Sequence, residues 1–147
     1  MINEGKRFEQ DFTKSCNFFT YRLKDTAGWQ KSEQTRFSSS NLCDMIAFKD
    51  SRMLLIELKS CGGTSMPYDN IKQLESMNKV SYDGVYPIFI LNFRCVDRTY
   101  VLKASKLMEL RETMGKNSIN HLDAALHGVL IPQNKKRTRW SYDLSNL

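Results

Sequence analysis

Apolar side chains recur at helical spacing in some stretches of this chain and in short, nearly unbroken runs in others, as expected for amphipathic helices and buried strands. Phe8, Phe12 and Cys16 fall on one stripe while Lys6, Arg7, Gln10 and Lys14 fall mostly elsewhere, which predicts a helix over 3–17. A short strand is expected over 18–23. Residues 25–41 are polar, rich in Ser, Gln and Lys and without a period, which predicts a long loop. Two apolar strands follow, over 42–48 and 53–59. The polar residues Lys49-Asp50-Ser51-Arg52 join them, so the pair reads as a hairpin. After the loop Cys61-Gly62-Gly63-Thr64-Ser65, a helix over 70–79 would bury Ile71, Leu74 and Met77. Strands over 86–93 and 99–102 flank a turn near 96–98. Helices over 105–114 and 118–127 come next, the second with Ile119, Leu122, Ala125 and Leu126 as its buried stripe and Gly128 as its C-cap. Met45, Met53, Met108 and Met114 read as core filler. This order predicts an α/β fold, a mixed sheet layered with helices.

Composition narrows the function. A chain of 147 residues fits a single domain (1–147) that needs no disulfide or zinc staple. No apolar run approaches the roughly 18 residues needed to cross a membrane. The start, Met1-Ile2-Asn3-Glu4-Gly5-Lys6-Arg7, lacks an apolar signal core, so a cytoplasmic protein is expected. Cys16, Cys43, Cys61 and Cys95 form no close pair, and His121 and His127 form no HExxH motif, which argues against zinc chemistry. The 22 Lys and Arg against 16 Asp and Glu give a net charge of +6, which favours an anionic partner, nucleic acid first.

The hairpin carries the chemistry. If its turn is symmetric about the Asp50-Ser51 bond, Asp44 faces Glu57, and Lys59 points to the same face as Glu57. Two carboxylates set in apolar stretches repel, and one ammonium neutralises only one of them. A divalent cation resolves the conflict. Mg²⁺ favours carboxylate oxygens, keeps several waters and is commonly shared with a phosphate. The competing interpretation is structural, with Asp44 an edge residue and Glu57 and Lys59 a solvated ion pair.

Asp44 followed by Glu57-Leu58-Lys59 at the end of an apolar strand resembles the PD-(D/E)xK nuclease superfamily. Further segments resemble its RecU-like Holliday junction resolvases: Gly5-Lys6-Arg7-Phe8-Glu9, then Thr64-Ser65-Met66-Pro67 with Asn70-Ile71, then Gln73, Tyr86-Pro87-Ile88-Phe89-Ile90-Leu91, and Ser118-Ile119 through His127-Gly128. The resemblance implies a restriction-endonuclease-like mixed central sheet flanked by helices. It implies that Asp44 and Glu57 bind Mg²⁺ or Mn²⁺, that Lys59 assists the nucleophilic water, and that Glu9 and Gln73 complete or support the site. It also implies a homodimer that resolves four-way DNA junctions by paired symmetric nicks. Departures from the family pattern are Cys43 in place of a frequent Pro, a spacing two residues shorter between Asn70 and Gln73, and the short stretch 17–43, a long loop or shortened stalk before Asp44.

Several cations are candidate DNA contacts. Lys31 and Arg36 lie in the long loop with Trp29, and Arg22 and Lys24 extend that surface. Lys135, Lys136, Arg137 and Arg139 stand beside Trp140 in a basic tail over 133–147. Trp29 suits stacking or loop packing, and the tail suits phosphate contacts or simple solvation. The sequence-level expectation is therefore a Mg²⁺-dependent, structure-selective DNA endonuclease. The alternatives are another PD-(D/E)xK repair or restriction-type nuclease, or a non-catalytic DNA-binding module.

Overall fold

The computed structural model describes residues 3–24 and 41–147; the expectations placed on 25–40, including Trp29, Lys31 and Arg36, lie outside the described residues. In chain order the elements are α1 (Glu4–Ser15), β1 (Phe19–Arg22), β2 (Met45–Lys49), β3 (Arg52–Cys61), β4 (Ser65–Pro67), α2 (Leu74–Asn78), β5 (Val85–Phe93), β6 (Arg98–Lys103), α3 (Ala104–Thr113), β7 (Ser118–Asn120), α4 (His121–His127), β8 (Val129–Ile131), β9 (Gln133–Lys136) and β10 (Arg139–Tyr142).

Six strands form one sheet in the order β1-β2-β3-β5-β6-β8. Among the described residues its only parallel pair is β3 with β5. The central strand β3 is buried continuously from Leu54 to Leu58, as a strand covered on both faces must be. Alternate side chains serve two cores. Leu54, Ile56 and Leu58 pack with Phe8 and Phe12 of α1, and Leu55 packs with Leu74, Met77, Leu107 and Leu110 of the helices on the other face. Glu57 and Lys59 share the parity of Leu55. Among the described residues no helix is long and apolar enough to cross a membrane.

Three stretches differ from their sequence patterns. The helix expected over 70–79 is a 3₁₀ turn (Tyr68–Asn70) followed by the short α2. Ile71 between them leaves helical geometry (φ −103°, ψ 65°), yet Ile71, Leu74 and Met77 are all buried as the spacing implies. The stretch 118–127 begins as a strand, because Met66 of β4 pairs with Ile119 of β7. Helix α4 starts only at His121, where the Asn120 side chain and Asp123 close a capping box. The helix is thereby rotated so that Ala124 is buried, while Ala125 is exposed and Leu122 and Leu126 are 66% and 78% exposed; of the expected stripe only Ile119 is in the core. Gly128 does cap α4, at φ −113°. A Cβ there would come within 2.7 Å of the Val101 carbonyl oxygen, so close approach rather than a special dihedral requires glycine.

The basic segment 133–147 is folded rather than a loose tail. β9 and β10 form a hairpin on α1, and Tyr142, Leu144 and Leu147 join the core beneath it. The anchor is Asp11, a buried acid on α1. Its Oδ1 accepts from Arg139 Nε at 2.6 Å and its Oδ2 from the Trp140 backbone N–H at 3.0 Å. Ser15 Oγ accepts from the Tyr142 N–H at 3.0 Å. Removing a charged hydrogen-bond partner from a buried acid costs about 1.5–3 kcal/mol. Arg139→Ala should therefore lower the urea midpoint by a corresponding amount, and an unchanged midpoint would show that the hairpin is held by its apolar contacts alone.

Candidate active site

The site forms where the β2–β3 ribbon opens. Lys49 pairs with Arg52, Ile46 with Leu55 and Met45 with Ile56, so the numbers of opposed residues sum to 101. This is the register expected from a turn at Asp50-Ser51. Both turn residues have positive φ (52° and 60°), as a two-residue hairpin turn of matching twist demands.

At Asp44 the ladder gives way. The Asp44 N–H donates to the Ile56 carbonyl at 3.0 Å, one residue out of step with the pairs below it. Its side chain then completes the edge, with Oδ2 accepting from the Leu58 N–H at 2.8 Å. The acid is thus held toward Glu57. Glu57 is 2% exposed, and its Oε1 lies 3.1 Å from Lys59 Nζ. Its Oε2 is buried without a hydrogen-bond partner among the described residues.

The electrostatics follow from this crowding. Burial pushes the Glu57 carboxyl up to about 7, helped by the Asp44 charge and opposed by Lys59. Asp44 is also raised, first by burial, with the Leu58 N–H drawing it down and the Glu9 charge adding to the rise. Cys43 is buried beside them. Burial, foremost, and the neighbouring acids hold it near 11, so it remains a neutral thiol at neutral pH.

Glu9 reaches this cluster from α1. It forms an ion pair with Arg22 of β1, tying the helix to the edge strand, and both charges act on Asp44. Arg22, expected as a DNA contact, thus stands among the acids. Gln73 lies apart. It lines a cavity with Asn41, Leu42 and Lys72, the first two leading into Asp44, and its buried Oε1 has no hydrogen-bond partner among the described residues. Lys24 is exposed, and its carbonyl accepts from Asn41 Nδ2 at 2.6 Å. The hairpin cations divide. Arg139 is committed to Asp11 and Gln10, Lys135 lies 5.8 Å above the Trp140 ring, and Lys136 and Arg137 are exposed. Asp11 escaped the sequence analysis, since a helix acid beside Phe12 reads as solvated; its signal is its place next to the apolar stripe.

Among the described residues no three His, Cys, Asp or Glu side chains converge on one point as a metal site. Among the described residues, Asp44 and Glu57 are the pair of acids here that could hold a metal. The pair suits a hard cation that completes its shell with water and substrate oxygens, because such ions need only one or two carboxylates. The unpartnered Glu57 Oε2 fits that use, and the absence of thiolate and imidazole donors argues against a soft metal.

The raised Glu57 pKa fixes a pH dependence for metal-free protein. Folded Glu57 keeps its proton up to about pH 7, whereas an ordinary Glu releases it near 4.5. Across that window the native state binds more protons than the unfolded one, so stability falls as pH rises. With chelator present, the wild type should lose on the order of 2–3 kcal/mol more than Glu57→Gln over that range. Parallel pH profiles in thermal unfolding would overturn this assignment.

The solved structure of Archaeoglobus fulgidus Hjc, a Holliday junction resolvase from an archaeal hyperthermophile, superposes with a TM-score of 0.54 at 21% identity, covering 86% of this chain and 95% of that one. The two share the restriction-endonuclease-like fold. Among curated proteins none matches. The family model for recombination protein U matches residues 3–138, nearly the whole length, and the chain therefore belongs to the RecU family.

Proposed function

We propose that this chain is a divalent-metal-dependent endonuclease that resolves four-way DNA junctions. The observation that carries the reading is the buried pair Asp44 and Glu57, held close together, with Lys59 beside Glu57 and the Leu58 N–H and the Arg22 charge acting on Asp44. A purely structural role for two mutually repelling acids would leave that cost unrecovered.

Asp44 and Glu57 would hold Mg²⁺ or Mn²⁺. When bound, the ion lowers the pKa of a coordinated water and offsets charge on the scissile phosphate. Asp44 is pre-positioned by the Leu58 N–H, so one ligand needs no rearrangement. Lys59 holds its ammonium beside Glu57 on the sheet face where a phosphate would sit. There it stabilises the attacking oxygen and the negative charge that develops on phosphorus oxygens. Glu9 supports Asp44 from α1, its own charge met by Arg22, and Gln73 supports the approach to Asp44 from the opposite layer. In-line attack would leave 5′-phosphate and 3′-hydroxyl ends.

Arg22, Lys24, Lys135, Lys136 and Arg137, with Lys31 and Arg36 outside the described residues, are proposed to meet the DNA backbone. Arg139 acts on this surface chiefly by holding the hairpin against Asp11. Paired nicks in two strands require two such sites, so the active form is expected to be a homodimer.

The deciding experiment compares cleavage of a mobile four-way junction with that of a linear duplex of the same sequence, in Mg²⁺ and in chelator. Junction cleavage should need the metal. Asp44→Asn and Lys59→Ala should each reduce it by roughly 10²-fold or more while leaving the fold intact. Equal rates on duplex and junction would make the protein a general DNA nuclease. Undiminished cleavage by Asp44→Asn would remove the site from the chemistry.

A further inference from the structure

The end of the sheet that carries Lys59 has a second polar feature on its reverse face. Ser60 follows Lys59 and so points the opposite way, toward α1. In register it pairs with Asn92 of β5, and Asn92 pairs with Thr99 of β6. A chain of hydrogen bonds crosses these strands. Ser60 Oγ donates to Asn92 Oδ1 at 2.8 Å, Asn92 Nδ2 to Thr99 Oγ1 at 2.9 Å, and Thr99 Oγ1 to Gln133 Oε1 at 2.6 Å. Arg94 Nη1 closes it by donating to Ser60 Oγ at 2.7 Å. Asn92 and Thr99 are both buried, so three neighbouring strands of the sheet and the β9–β10 hairpin are tied together by amides and hydroxyls in addition to their apolar packing.

Above this floor lies a cavity of about 310 Å³ between α1 and the hairpin. That is the lower end of the roughly 300–1,000 Å³ of small-ligand clefts and far too narrow for a duplex. Trp140 supplies an aromatic wall, Asn92 and Gln133 supply amide edges, and Arg7, Lys135 and Arg137 stand around it. With Arg94 the lining holds four cations against Glu4, Asp11 and Asp97, and Asp11 is already neutralised by Arg139. An amide has two donor hydrogens and two acceptor lone pairs, of which the chain described above uses one each on Asn92. A stacking face, unspent amide sites and net positive charge are what an unpaired nucleobase with its phosphate requires.

We propose that this cavity is a second nucleic-acid site that receives one unpaired deoxynucleotide, displaced from the strand that runs over Lys59. The inference rests on the reading of DNA as substrate and extends it to a site on the other face of the same strand ends. The base would take the place of the Lys135 ammonium over the Trp140 ring, edge toward Asn92 and Gln133, and its phosphate would meet Lys135, Arg137 and Arg7.

The test uses the full chain in chelator, with Trp29→Phe so that Trp140 is the sole tryptophan. Three duplexes are titrated: one with a single unpaired thymidine, one with an abasic residue in its place, and one fully paired. The unpaired thymidine should quench Trp140 fluorescence and bind about tenfold more tightly than the abasic duplex, from the loss of one stacked base. The double variant Lys135→Ala/Arg137→Ala alters only exposed side chains and should weaken binding of the thymidine duplex by about tenfold. Equal affinities for all three duplexes, or quenching that does not distinguish them, would overturn the proposal. Because binding is read without metal, a failure of junction cleavage leaves this result standing, and a failure here leaves the cleavage result standing.

Discussion

Two carboxylates brought together in a largely desolvated sheet, with one ammonium 3.1 Å from Glu57, set the terms for the rest of this molecule. Glu57 sits in the continuously buried run of β3, itself 2% exposed, and cannot retreat. Asp44 is kept opposite it by two bonds of the ribbon itself, one from its own N–H and one to its side chain. The arrangement survives in metal-free protein because Glu57 holds a proton and Lys59 lies within 3.1 Å. Neighbouring elements are organised around the same centre. The Glu9–Arg22 pair joins α1 to the sheet edge beside Asp44, and Cys43 contributes bulk without adding a charge at neutral pH.

Legibility in the sequence depended on how local each signal was. The β2–β3 register could be read because a two-residue turn leaves no freedom in pairing, and every opposed pair from Met45 to Lys49 then follows by counting. The apolar runs of β3 and β5 and the Phe8–Phe12 stripe of α1 report burial directly, and those elements stand within a residue or three of their expected bounds. Where partners are distant, the local pattern misleads. Ser118–Asn120 is a strand only because β4 lies beside it, and that pairing shifts the start of α4 and turns Leu122 and Leu126 to solvent. The basic segment looked solvated because its anchor, Asp11, is more than a hundred residues away. Gln73 illustrates a further limit. Its place beside the approach to Asp44 comes from packing of the layer that carries it, which no spacing in the chain encodes.

The two faces of the sheet divide labour through the parity of β3. Odd positions carry Glu57 and Lys59 toward the helical layer of α2 and α3, while the even position Ser60 begins a polar chain toward α1 and the β9–β10 hairpin. Buried hydroxyls and amides are costly unless each finds a partner, and here they find them in one another. The hairpin is therefore fixed to the sheet at two independent points, Asp11 beneath Trp140 and Thr99 beneath Gln133.

The tight turn at Asp50-Ser51 acts on the Asp44–Glu57 pair from roughly 20 Å away. It works as a ruler: one residue gained or lost there would slide β2 along β3 and carry the Asp44 carboxylate to the opposite side of the sheet, while each strand kept its composition and hydrogen-bonding capacity. On the proposed assignment of Asp44, an indel at this solvent-exposed tip would thus silence the activity without touching any group that meets a substrate, and loop length here should be as constrained as the identity of the acids themselves.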